Sequence, residues 1–202
     1  MDVKILSITK NWLDIKNSAL NTISKQTNKE PTSEWKRKIL LSEHSPIRKL
    51  KISWKWIDLK YWVSVHLVRH KIGIEHFVSS QRNDRQNNYD RNTAPQSALI
   101  THECESNAQA IINISRKRLC NQASKETREA WQKFLDSFKD DEPELYSVCV
   151  PECIYRNGLC PEFKTCGWNK TLEFENKLKQ YIKGIESQIN PKTNINNRGV
   201  IC

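Results

Sequence analysis

Residues 68–85 read Val-Arg-His-Lys-Ile-Gly-Ile-Glu-His-Phe-Val-Ser-Ser-Gln-Arg-Asn-Asp-Arg. Arg69, His70 and Lys71 stand side by side, and Ser79, Ser80, Gln81 and Arg82 follow closely. That mixture suits a pocket for an anionic ligand, because a guanidinium holds phosphate oxygens with two donors and hydroxyls add neutral ones. Read alone, the stretch is equally a solvated basic turn. The segment before it, Tyr61 to His70, has the spacing of a buried helix. Trp62, Val65, Val68 and Arg69 would share roughly one face, so the helix could deliver Arg69 and His70 to a site at its end.

Upstream, Leu50, Ile52, Trp54 and Trp56 alternate with Lys51, Ser53 and Lys55, the pattern of a half-buried strand. Val3 to Ile8 reads as a short strand, and residues 11–24 as an amphipathic helix carrying Trp12, Leu13, Ile15 and Leu20. The polar segment 25–37, with Pro31, predicts a loop with some helix at Glu34-Trp35-Lys36. Downstream, the glycine-free run Asn83 to Arg91 is a loop by composition. Glu103 to Leu119 predicts one helix, its apolar stripe formed by Ala108, Ile111, Ile112, Ser115 and Leu119. Ser124 opens another that reaches about Asp140, with Ala130, Trp131, Phe134, Leu135 and Phe138 facing the core. Leu172 to Ile189 is a Lys/Glu-rich helical pattern, and Asn190 to Cys202 reads as a loosely attached tail.

A chain of 202 residues makes one domain, or one domain with a small appendage. Five glycines and the absence of G-x-G-x-x-G and G-x-x-x-x-G-K-[ST] remove Rossmann and P-loop readings. No stretch approaches a membrane span, and Met-Asp-Val-Lys-Ile-Leu is not a signal peptide, so a cytoplasmic protein is expected. The net charge of +10 implies anionic partners. The lysines are scattered, and no signature of a nucleic-acid reader occurs, so a basic pocket for phosphorylated small molecules explains the charge as well. Seven cysteines in such a chain are expected to be reduced thiols. Cys149, Cys153, Cys160 and Cys166 cluster late but lack paired C-x2-C knuckles. Ordinary thiols are the preferred reading and no metal centre is assigned; a zinc-stabilised nucleic-acid-binding module is the remaining alternative. Cys120 is read as a core thiol.

Several segments together resemble the flavin-dependent thymidylate synthases. Ser42-Glu43-His44-Ser45-Pro46 is similar to that family's Gly-His-x-[ST]-Pro turn. Leu67-Val68-Arg69-His70-Lys71 with Ser80-x-Arg82 resembles its Arg-His-Arg and Ser-x-Arg signature. Arg91-x-x-x-Pro95 is followed by Asn107-Ala108 and Asn113 at the family's separations. Arg118-x-x-x-Gln122-Ala123-x-x-Glu126-Thr127-Arg128 is similar to its Arg followed by Ala-Gln-x-Glu-Ile-Arg. Cys160-Pro161-Glu162 and Cys166-Gly167 look like the tail of some bacterial and phage members.

The resemblance covers about residues 3–168 and leaves 169–202 as a helical, partly disordered appendage. It implies a mixed α/β (α+β) fold, a twisted sheet flanked by long helices, in homotetramers with sites at subunit junctions. It implies methylation of dUMP to dTMP, or a close C5 modification of a deoxyuridine nucleotide. Methylenetetrahydrofolate supplies the carbon, reduced FAD the hydride, and NADPH reduces the flavin. Carried over by position, His44, Ser45, Arg69, His70, Lys71, Asn107 and Asn113 would contact the flavin. His66, Ser80, Arg82, Arg91 and Arg118 would hold dUMP, with Arg118 also acting in catalysis on the uracil. Five features depart from the pattern. Lys71 stands for the signature's second Arg, and the Arg69-to-Arg82 span is one residue longer. Arg48-Lys49 replaces Glu-His and His66 replaces a Gln. A helical excursion that members carry between the Ser-x-Arg and Arg-x-x-x-Pro pieces is missing. A nucleotide-binding relative without turnover is therefore the alternative.

Overall fold

The alternation around Trp54 and Trp56 builds the central ribbon of the molecule. In a computed structural model, which describes residues 1–85 and 90–189, β2 runs Lys51–Lys60 and pairs on one side with β1, Asp2–Ile8. On its other side lies β4, Leu99–Asn107, and beyond that β3, Ile74–Val78. All pairings are antiparallel, in the order β1-β2-β4-β3. Successive side chains of a strand point to opposite faces. One face therefore carries Ile52, Trp54 and Trp56 of β2 beside Ser106, Cys104 and His102 of β4, all at most 1 % exposed. His76 of β3 lies across from Cys104 in the same row.

That face is closed by helices. The predicted 125–140 helix is α5, Lys125–Phe138, capped by Ser124, whose hydroxyl accepts from the Thr127 N–H. Its expected core side chains are all buried: Trp54 stacks on Phe134 at 3.8 Å, and Trp56 Nε1 donates to the Ala130 carbonyl. α4, Ala108–Arg118, follows β4 directly and packs beside it; Trp131 Nε1 donates to Ser115 Oγ, which donates to the Ile111 carbonyl. α1 (Trp12–Asn21) and α2 (Ser33–Leu41) lie near a 3-10 turn over Ser45–Lys49, which packs against the start of α4. α3 (Tyr61–Leu67) follows β2 without a loop. After α5 come α6 (Pro143–Val148), α7 (Glu152–Tyr155) and α8 (Leu172–Ile189). α8 buries Phe174, and the Tyr181 carbonyl accepts from Arg37.

The mixed α/β architecture is as expected, with corrections inside it. The helix expected from Glu103 begins only at Ala108, and Leu99–Asn107 is a strand. Its inward residues are Ile100, His102, Cys104 and Ser106, three of them non-aliphatic, so the period of two carries little hydrophobic contrast. β3 carries as little contrast: of its residues only Ile74 is buried. α3 turns Val63, Ser64 and Leu67 inward and leaves Val65 36 % exposed, so its buried face is not the one the spacing suggested. Helix also extends further than Glu34-Trp35-Lys36, to Leu41. The expectation for Asn190 to Cys202 lies outside the described residues.

Candidate functional site

The last residue of α4 meets the end of α3. Helix ends leave carbonyls without intrahelical partners, and Arg118 uses one: its Nη2 donates to the His66 carbonyl at 2.6 Å. Its Nε donates to His70 Nε2 at 2.7 Å. His70 can accept there only with that nitrogen unprotonated, and burial, then Arg118, then His76 push its pKa down to about 4. His66 is lowered as well, by burial, Arg118 and Arg69, and its Nδ1 lies 3.2 Å from Thr127 Oγ1. Arg118 is itself lowered, first by burial and then by Arg69. Among the described residues, ion pairs of arginines engage Arg82, Arg85, Arg116 and Arg156 but neither Arg69 nor Arg118. Half-buried Arg118, His66 and His70, with exposed Arg69 at the rim, thus share a corner that no carboxylate enters among the described residues, a setting that favours an anion or an electron-rich ring.

The exposed turn 69–73 leads from this corner into β3. Gly73 adopts φ +75°, and a Cβ there would come within 2.6 Å of Asn107 Nδ2. Asn107 caps α4 through its Oδ1, which accepts from the Ala110 N–H at 3.0 Å, and its own N–H donates to the Gly73 carbonyl. Asn107 therefore joins the turn to the helix that carries Arg118. The sequence showed Gly73 but gave no reason to single it out; the positive φ does.

The other expected site residues lie in separate places. Arg82 and Arg91 line a 440 Å³ cleft with Tyr61, Ser79, Pro95 and Gln96, at the opposite end of α3 from His70. Arg82 is held in that cleft by Asp84 through two contacts of 2.9 and 2.6 Å. Ser80 Oγ accepts from the Arg82 N–H, and Ser79 rather than Ser80 reaches the cleft wall. His44 and Ser45 line a different cleft, 340 Å³, with Trp35, Lys38 and Pro46. Asn113 is exposed and accepts from Gln109 and Arg116 in a network closed by the Arg116–Glu43 ion pair. Lys71 is exposed on the turn. A single chain thus brings together His66, Arg69, His70 and Arg118, with Lys71 and Asn107 adjoining, and leaves Arg82 with Arg91, His44 with Ser45, and Asn113 apart.

The late cysteines divide differently from their order in the sequence. Cys153, Cys160 and Cys166 line one small pocket with Cys120 and Glu162. Cys149 is buried beside Ser115, and burial pushes its thiol up to about 12.

No protein-family model and no curated relative matches this sequence. Solved structures share the fold, among them two of a flavin-dependent enzyme. The crystal structure of flavin-dependent thymidylate synthase ThyX from Helicobacter pylori complexed with FAD and dUMP is 17% identical with a TM-score of 0.60, over 74% of this chain and 100% of that one. A second crystal structure of ThyX from Helicobacter pylori, also with FAD and dUMP, is 14% identical with a TM-score of 0.61, over 74% and 99%. At these identities the likeness is one of fold. None of the helices among the described residues is long and apolar enough to cross a membrane.

Proposed function

We propose that the chain is a flavin-dependent enzyme that methylates C5 of dUMP to dTMP, with methylenetetrahydrofolate as carbon donor and NADPH as reductant of FAD. The observation that carries this reading is Arg118: half-buried, held by the His66 carbonyl and the His70 imidazole, and facing the Arg69 charge with no carboxylate partner among the described residues. A guanidinium so fixed can grip the uracil carbonyls and stabilise the electron-rich ring that attacks the carbon donor. Being positioned beforehand, it needs little reorganisation as that charge develops.

Ser80, Arg82, Arg91 and His66 hold the nucleotide in this reading. Arg82 exchanges Asp84 for phosphate, a swap between two bidentate acceptors. Arg69 and Lys71 are exposed cations on one turn and fit a diphosphate, and with His44, Ser45, His70, Asn107 and Asn113 they hold FAD. Once reduced by NADPH, the flavin would supply the hydride. The separation of these groups along one chain is the reason for a homotetrameric arrangement, in which sites at subunit junctions take residues from more than one copy.

Purified protein is expected to be yellow, to bind dUMP, and to release tritium from C5-labelled dUMP when given folate donor and NADPH. Colourless protein that takes up neither FAD nor dUMP would sink the reading. The Arg82–Asp84 pair favours one second reading, a nucleotide-binding relative without turnover. It predicts dUMP binding with no tritium release, and growth of a thymidine-requiring bacterial strain carrying this chain would refute it.

A further inference from the structure

Beneath the Arg118 corner, three side chains with metal-ligand chemistry converge on the helix-covered face of the sheet. His76 Nδ1 and His102 Nε2 lie 2.9 Å apart. Cys104 Sγ is 3.3 Å from the first and 3.4 Å from the second. His102 and Cys104 are both 0 % exposed, and His76 is half-buried on the edge strand. The convergence is dictated by the fold: His102 and Cys104 are two apart on β4, and His76 is the register partner of Cys104.

Hydrogen bonding within the triangle leaves it unsatisfied. His76 Nε2 lies 2.7 Å from the His70 carbonyl, so it carries the proton and its Nδ1 offers a lone pair. With Nε2 of His102 protonated, that nitrogen and the Cys104 thiol compete for the one lone pair of His76; with Nδ1 protonated, a buried N–H is left without a partner. A cation at the centre uses all three donors at once. Zn–N bonds of about 2.0 Å and Zn–S bonds of about 2.3 Å at tetrahedral angles put ligand atoms roughly 3.3–3.5 Å apart; the two sulfur–nitrogen distances match this, and the 2.9 Å between the imidazole nitrogens is a hydrogen-bond length that would open by about 0.4 Å around an ion. The His76 N–H to the His70 carbonyl is the outer contact that ordinarily orients a metal-bound imidazole.

We propose that His76, His102 and Cys104 form a three-ligand site for a zinc-class divalent transition-metal ion, its fourth position left to solvent or a small exogenous ligand. Two imidazoles and a thiolate are borderline-soft donors, which disfavours magnesium and calcium. The ion clamps β3 to β4. Through His76 it also steadies the His70 backbone, one residue from Arg69.

The test uses the full chain, stripped with chelator and titrated with cobalt(II), then zinc. The wild type is expected to bind a single tight equivalent of cobalt, with a thiolate-to-cobalt charge-transfer band that zinc abolishes. Cys104→Ser should lose the band. The half-exposed His76→Gln, a variant less exposed to misfolding, should weaken binding at least tenfold, in line with what losing even an outer-shell partner costs. Cys160→Ser should leave the titration unchanged. A folded wild type without the band overturns the proposal. So does a band that survives Cys104→Ser and disappears in Cys160→Ser, which would move the metal to the Cys120, Cys153, Cys160 and Cys166 pocket. Neither readout requires flavin or nucleotide, so the outcome is independent of the proposed enzymatic reaction.

Discussion

Arg118 is oriented by its own chain before any ligand is present, and this makes its removal informative. Losing a charge-assisted partner of a buried anionic ligand costs about 1.5–3 kcal/mol, or roughly ten- to a hundredfold in affinity. Arg118→Ala is therefore expected to bind dUMP ten- to a hundredfold more weakly while keeping flavin, as calorimetric titration of each ligand would check. Arg118→Lys should recover little, because an ammonium cannot span the His66 carbonyl and the His70 ring at once. A second residue speaks to pH. Glu142 is 2 % exposed and accepts from Trp12 Nε1 at 2.9 Å, and burial raises its pKa above the ordinary carboxylate value. Between those two values the folded chain binds more protons than the unfolded one, so this group favours folding at the lower pH and its contribution is lost as pH rises through the raised pKa. Glu142→Gln keeps an acceptor for the indole and removes the buried charge. It is expected to raise stability at neutral pH and to flatten its decline above about pH 4.5, the ordinary value, as denaturant melts across pH would show.

At the scale of elements, the turn 69–73 decides whether Arg69 and Arg118 face one another. Gly73 combines φ +75° with a gap that Asn107 Nδ2 nearly fills. Gly73→Ala should cost about 1–3 kcal/mol of stability from backbone strain, plus whatever is lost as Asn107 is pushed from the α4 N-terminus. Chemical denaturation would measure the loss, and a variant as stable as the wild type would show that the turn is not constrained. The same elements show what the sequence could and could not convey. Strand β2 and helix α5 were legible because Trp54, Trp56, Trp131 and Phe134 repeat at the periods of strand and helix. Strand β4 was not, because His102, Cys104 and Ser106 fill an apolar face with polar types that only the neighbouring strands explain. Arg69 and His70 were singled out by resemblance as flavin contacts and Arg118 as a nucleotide contact; the fold brings all three to one corner, a juxtaposition the sequence pattern did not convey. The His76, His102 and Cys104 triangle was invisible, since 26 residues separate two of its members and pairing across the sheet brings them together.

Across the whole molecule, the basic groups expected to share one ligand site lie at both ends of α3, in the Arg118 corner and in the Arg82–Arg91 cleft. If the active site is completed between copies, two separately inactive variants should rescue one another. Co-expression of Arg118→Ala with Arg91→Ala is expected to restore roughly a quarter of the wild-type rate, the share of sites left intact by random pairing in a two-fold junction. Activity no higher than either parent would place every residue of the site on one chain. The packed core has a further consequence, an optical one. Trp54, Trp56 and Trp131 lie with ring centroids 5.4 to 6.3 Å apart. Indoles that close couple their electronic transitions, so the near-ultraviolet dichroism should contain an exciton pair, and excitation should hop between rings before it is emitted. Separating α5 from the sheet would remove the coupling of Trp131 to Trp54 and Trp56, leave the Trp54–Trp56 coupling within β2, and shift emission to the red, whereas loosening the turn at Gly73 would leave the spectrum untouched. The tryptophan spectrum therefore reports the closure of the sheet against its helix, independently of the corner where Arg118 sits.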